Sequence, residues 1–216
     1  MEDVLQVYAR PYNALRPVVC LDEKSKELHG HLRDPLPLQP GKARRQDSEY
    51  VRNGTVNLFL WVEPLGGKRG VAVTQRRTTI DFAEQLRHLV DDMYPEAEQV
   101  VLVTDNLNTH TSACLYEAFP PPEARRIAER VDWHFTPEHG SWLNMAELEL
   151  SVLARQCVNR RIPDTQTLGT EVAAWERDRN AAAVQIDWQF TTADARVKLK
   201  RLYPDYQAIK ERKKAK

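Results

Sequence analysis

The sequence predicts a mixed α/β sheet flanked by helices, and three observations carry that expectation. Short apolar runs bounded by polar residues, Val18-Val19-Cys20-Leu21 and Val100-Val101-Leu102-Val103-Thr104 among them, have the length and composition of buried strands. Between two further strands at 55–62 and 70–74, Gly66-Gly67-Lys68 supplies a turn that makes an antiparallel hairpin. Segments with apolar residues at helical spacing then alternate with strands to the end of the body. Three antiparallel strands in a meander, followed by helix–strand–helix–strand–helix, give a sheet that continues with parallel strands.

Taken in order, residues 1–16 read as a lead-in, with a helix end at Met1–Tyr8 stopped by Pro11. The first strand covers 17–22, and the Pro-rich, basic stretch 33–48 is a loop. After the hairpin, Ile80, Phe82, Ala83, Leu86, Leu89, Val90 and Met93 give a helix at 79–93 its apolar face, and Pro95 ends it. The strand running into Asp105 is followed by a helix from Ser112 to Phe119, interrupted by Pro120-Pro121-Pro122 and resumed over 123–131. A short strand, Asp132–Thr136, and helices at 143–158 and 165–180 complete the body; there is no internal repeat and no low-complexity tract.

With 216 residues the chain has room for one sizeable domain, and 42% hydrophobic against 29% charged residues fits a soluble globular protein. No apolar stretch approaches the ~18–20 residues that span a bilayer, and the first residues lack the pattern of a signal peptide. Cys20, Cys114 and Cys157 are odd in number and widely spaced, so neither a disulfide framework nor a zinc site is expected, and the simplest setting is the cytoplasm. A net charge of zero weighs mildly against a nucleic-acid partner, but the charge is uneven. From Arg196 to Lys216 nine Lys or Arg face two acids, a net +7, which leaves −7 for residues 1–195. The tail from 205 is either an arm that contacts phosphates or a solvated terminus.

Asp22 and Asp105 each stand where an apolar run ends, on rigid backbone at a sheet edge, where ligands commonly bind. A strand-terminal aspartate also caps turns, so neither is decisive alone. Glu147 lies on the later helix. Three hard oxygen donors from two strands and a helix suit Mg²⁺ and phosphoryl-transfer chemistry. Glu149 rivals Glu147: at about 100° per residue the two point to nearly opposite sides, and Met145, Leu148 and Val152 offer one apolar face while Leu143, Leu150 and Leu153 offer another, so periodicity does not choose. Glu23 should face away from Asp22, as a supporting or solvent group. His29 and His31 read as a surface pair, and Arg33, Arg44 and Arg45 as phosphate contacts or a solvated loop. An NTPase is excluded, since Gly66-Gly67-Lys68-Arg69 fails the phosphate-loop pattern at its last position. A phosphatase of the Asp-x-Asp type is excluded by Lys24.

Four stretches carry a family resemblance: Val18-Val19-Cys20-Leu21-Asp22-Glu23, Arg52-Asn53-Gly54-Thr55, Asp105-Asn106-Leu107-Asn108-Thr109-His110, and His139-Gly140-Ser141-Trp142-Leu143-Asn144-Met145-Ala146-Glu147. In this order they resemble the DDE transposases of the mariner superfamily, specifically the bacterial insertion sequence 630 family, over roughly residues 15–204. The resemblance implies a ribonuclease H-like catalytic domain at 17–204. It implies Asp22, Asp105 and Glu147 as catalytic residues holding two Mg²⁺ ions, with Mn²⁺ tolerated. The Asn144-x-x-Glu147 register then favours Glu147 over Glu149.

Around them, Asn106 would bond a metal-held water or cap its turn, and Asn144 would support the site or contact DNA. His110 would orient a phosphate, the scissile strand or Asp105, or else be a buried, hydrogen-bonded histidine. Trp142 would stack on an unpaired base or fill the core, the commoner place for a tryptophan. The implied activity is cleavage of DNA at the ends of a mobile element and transfer of the 3′-hydroxyls into TA-containing target DNA. The implied assembly is a homodimer or larger on paired ends, associated with the nucleoid. Family members also carry an N-terminal helix-turn-helix; this sequence begins at the catalytic domain, so that region is expected to be separate or missing. The gap of 41 residues between Asp105 and Glu147 exceeds the usual one, and Pro120–Pro122 is the expected place of the extra length. The alternative reading is an inactive or truncated transposase-derived module for DNA binding or assembly.

Overall fold

In the computed structural model five strands form one sheet: β1 (Val18–His31), β2 (Tyr50–Glu63), β3 (Lys68–Thr74), β4 (Val100–Thr104) and β5 (Val131–Phe135). Across the sheet the order is β3-β2-β1-β4-β5. β1 pairs antiparallel with β2, and β2 with β3, while β1–β4 and β4–β5 are parallel. The expected mixed sheet is therefore present, with β1 at its centre. The structure describes residues 1–33, 36, 39–42, 47–107, 110–138 and 140–203. Arg44, Arg45, Asn108, Thr109, His139 and the basic tail from 205 lie outside the described residues.

The helices are α1 (Glu2–Tyr8), α2 (Thr79–His88), α3 (Ala113–Ala118), α4 (Pro121–Glu129), α5 (Met145–Leu153), α6 (Thr165–Ala181) and α7 (Thr192–Lys198). Their starts follow from local chemistry. Thr78 and Asp81 form a reciprocal cap on α2, Asp164 accepts from Thr167 N–H on α6, and Pro121 stands in the first turn of α4, where its missing N–H costs nothing. Gly67 closes the β2–β3 turn at φ +67°, and a Cβ there would lie 2.6 Å from the Ala183 carbonyl oxygen, so only glycine fits.

Strand alternation divides the core into two layers. Cys20, Leu58, Leu60, Val62, Val101 and Val103 face α1, α5, α6 and α7. Val19, Leu21, Phe59, Trp61, Val100 and Leu102 face α2, α3 and α4. Both faces of the sheet are thus covered, as a sheet with parallel strands requires. The three cysteines are buried and free. No described helix is long and apolar enough to cross a membrane.

Several expectations are corrected. β1 does not stop at Asp22 but continues to His31, paired with an equally long β2; its outer half mixes exposed residues with buried ones, Leu28 of the core among them, and contains no apolar run. Within the lead-in, Val4, Leu5 and Val7 of α1 lie in the same core as α5. α7, absent from the sequence reading, starts at a capping box made by Thr191 and Asp194. Trp142 is not a core residue: it is 41% exposed, edge-on to Phe190.

Candidate functional site

β1 and β4 run parallel with Cys20 opposite Val103. Continued two residues, that register sets Asp22 beside Asp105, and alternation puts both on the α5 face with Cys20, Val101 and Val103. Asp22 is 8% exposed, and its Oδ1 accepts from the Glu23 N–H at 2.8 Å. Burial pushes its carboxyl up to about 7; the Glu23 N–H opposes the rise, while the carboxylates of Asp105, Glu23 and Glu147 add to it. Asp22 therefore lies within the field of both other acids singled out in the sequence.

Glu147 reaches this edge because of Asn144. The Asn144 side chain is fully buried. Its Oδ1 accepts from Ala146 N–H at 3.1 Å and caps α5, while its Nδ2 donates to the Leu21 carbonyl at 2.9 Å. One side chain thus starts the helix that carries Glu147 and ties it to the strand residue before Asp22. The opposite side of α5 is equally fixed. Glu149 is 2% exposed, bonded by Arg179 at 2.6 and 3.0 Å and facing Arg69 Nε at 2.9 Å. Arg69 is itself fully buried. Glu149 is a structural anion, and the rotation it fixes leaves Glu147 on the side of Asp22.

His110 is 1% exposed and lies between two acids: Nδ1 bonds Asp105 Oδ1, and Nε2 is 3.2 Å from Glu23 Oε2. Burial pulls the imidazole down, but the bonds to Asp105 and Glu23 prevail and raise it to about 9. Asn106 is exposed and lines an open cleft of about 520 Å³ with Asp105, Thr136 and Ser141. Trp142 stands next to that cleft, lining a neighbouring hollow with Pro137 and Glu138. His29 contacts Glu27 and Tyr50 at the far end of β1, and Arg33 faces Asp47 and Glu49. Sequence reasoning missed the pairing of Glu23 with His110 and the partners of Glu149. The one available signal was alternation, which placed Glu23 on the face opposite Asp22.

The donor set is all oxygen, which fits a hard divalent cation. Asp22, disfavoured as an anion by burial and by its neighbours, is the group such a charge would relieve. Among the described residues, however, no three His, Cys, Asp or Glu side chains already stand together as a ligand cluster. The expected three-carboxylate cage is thus not preformed. Like charges repel one another, and one oxygen of Asp105 is taken up by His110. Mg²⁺ needs only one or two protein carboxylates beside water and phosphate oxygens, so an open set suffices.

No curated protein matches the chain in sequence. Among solved structures, the Mos1 strand transfer complex is similar at TM-score 0.51 and 14% identity, over 83% of this chain and 55% of that one. The Mos1 mariner paired end complex with Mn is similar at TM-score 0.51 and 17% identity, over 84% and 55%. At this identity the likeness is one of fold, the ribonuclease H-like sheet, and the chain spans 55% of the length of these relatives. In sequence, residues 17–169 match the DDE superfamily endonuclease family, from the start of β1 to the first turns of α6. With that stretch covering most of the chain, the protein belongs to the DDE endonuclease superfamily.

Proposed function

We propose that this chain is the catalytic domain of a mariner-superfamily transposase of the insertion sequence 630 type. It cleaves DNA strands at the ends of a mobile element and joins the resulting 3′-hydroxyls to TA-containing target DNA, as a homodimer or larger assembly on paired ends. The observation that carries the reading is the β1–β4 register, which when continued sets Asp22 beside Asp105, together with the bond from Asn144 that docks α5, the helix bearing Glu147, on β1. Asp22, on the central strand, is assigned to hold both metal ions, Asp105 one and Glu147 the other. Two divalent ions, when bound, lower the pKa of the attacking water or 3′-hydroxyl and stabilise the leaving oxygen. The chain's own residues keep the acids in place: Asn144 docks α5 on β1, and His110 holds one oxygen of Asp105. The open cleft of about 520 Å³ beside Asp105 and Asn106 is the proposed place of the DNA backbone.

The test is Mg²⁺- or Mn²⁺-dependent nicking and strand transfer on a duplex carrying element ends. Wild-type protein is expected to cut and join; Asp22→Asn, Asp105→Asn and Glu147→Gln are expected to do neither. Cleavage that survives Asp105→Asn would refute the assignment. The open ligand set favours one second reading, a transposase-derived module that binds or assembles on DNA without cutting it. That module would shift the duplex in a gel and leave it uncut at every metal concentration.

A further inference from the structure

We infer that Glu23 and His110 form a clamp that fixes the carboxylate of Asp105, which makes Glu23 a positioning residue for an acid on another strand. The inference rests on the reading of Asp105 as a metal-holding acid. Glu23 follows Asp22 on β1 and, by strand alternation, projects to the opposite face. There its Oε2 lies 3.2 Å from His110 Nε2, with side-chain exposures of 5% and 1%. The other ring nitrogen bonds Asp105 Oδ1 and has Thr104 Oγ1 at 3.3 Å. Phe82 of α2 stacks on the ring, with centroids 4.1 Å and planes 22° apart. The imidazole is therefore stacked on Phe82, bonded to Asp105 at one end and in charged contact with Glu23 at the other.

Stability alone is a poor account of Glu23. A carboxylate buried this deeply is costly unless well paired. Beyond His110, Arg77 approaches only to 3.9 Å, and Oε2 has no well-aligned hydrogen bond. What the arrangement secures is the placement of the ring, and through it of Asp105, whose Oδ1 is occupied and which lines the cleft. Two consecutive residues of β1 thereby serve two acids, Asp22 directly and Asp105 through His110. Partners that orient a metal-holding carboxylate in this way are worth about 10–100-fold in metal affinity or activity.

Glu23→Gln keeps the shape and removes the charge; His110→Asn serves if that variant does not fold. Mn²⁺ binding is read from the electron paramagnetic resonance signal of the ion without DNA, alongside nicking as a function of Mn²⁺ concentration. The expected result is an affinity for Mn²⁺ lowered about 10- to 100-fold, with nicking recovered at saturating metal and an unchanged circular dichroism spectrum. A variant that melts lower yet binds Mn²⁺ as tightly as wild type overturns the clamp. If the wild type binds Mn²⁺ without cutting DNA and Glu23→Gln weakens that binding, the clamp stands and the nuclease reading falls. Wild-type protein that binds no Mn²⁺ overturns both.

Discussion

Glu147 and Glu149 are chemically identical and two positions apart, and their surroundings separate their roles. Residues so spaced on a helix point about 200° apart. Glu149 is turned inward between Arg69 and Arg179. Arg69 also donates to the carbonyls of Gly67 and Arg179, both at 3.1 Å, and to that of Val184. Removing the anion from such a set leaves buried guanidinium charge uncompensated, at a cost of about 3–5 kcal/mol. Glu149→Gln is therefore expected to lower the urea midpoint sharply while whatever remains folded still nicks DNA. Glu147→Gln is expected to unfold near the wild-type midpoint and to nick nothing. Unfolding curves and nicking assays on the two variants decide it, and the reverse pattern would exchange the roles.

α5 is the element on which the third acid depends, and Asn144 is its hinge to the sheet. Asn144→Ala deletes the cap, worth about 0.5–2 kcal/mol, and leaves the Leu21 carbonyl without its donor, a further ~1–3 kcal/mol. Asn144→Asp discriminates better. It preserves the cap acceptor for Ala146 N–H, loses the bond to Leu21, and adds a negative charge beside Asp22. The expected outcome is a folded protein whose nicking falls about 100-fold or more, because displacement of a reacting group by ~1 Å costs that much; near-normal nicking would show that the docking is dispensable. The element order was legible in the sequence because apolar runs, helical spacing and proline stops are local signals. The outer half of β1 was not, since Leu28 is a single apolar core residue in a polar run held by pairing with β2. α7 could have been found from the Thr191–Asp194 box, but its short apolar content gave no periodicity to confirm it. In the site, Asp22 and Asp105 were legible because each follows a short apolar run. The partners of Glu23 and Glu149 were not, because they come from elements distant in the chain, and no local pattern records which side chains the fold brings into contact.

At the scale of the whole molecule, a sheet covered on both faces places acids where β4 ends beside β1, and that has a price in stability. Asp22 stands at about 7, above its ordinary 3.8, chiefly through burial and then through the carboxylates around it. A raised carboxyl binds its proton more tightly folded than unfolded. Without a divalent cation, its contribution is therefore least harmful near pH 4, worsens as pH rises towards about 7, and stays adverse above that. At about 1.4 kcal/mol per unit the burden amounts to a few kcal/mol. Asp22→Asn removes it. In chelator near pH 8 the variant is expected to melt several degrees above wild type, and the difference should shrink as pH falls to about 4. Millimolar Mg²⁺ should then raise the melting temperature of wild type, through preferential binding to the folded state, and that of the variant less. Calorimetry with and without Mg²⁺ at both pH values measures all of these. If Asp22→Asn melts at or below wild type in chelator near pH 8, Asp22 is stabilised by bonds that its surroundings do not reveal, and the acids around it are not held in mutual repulsion awaiting a cation.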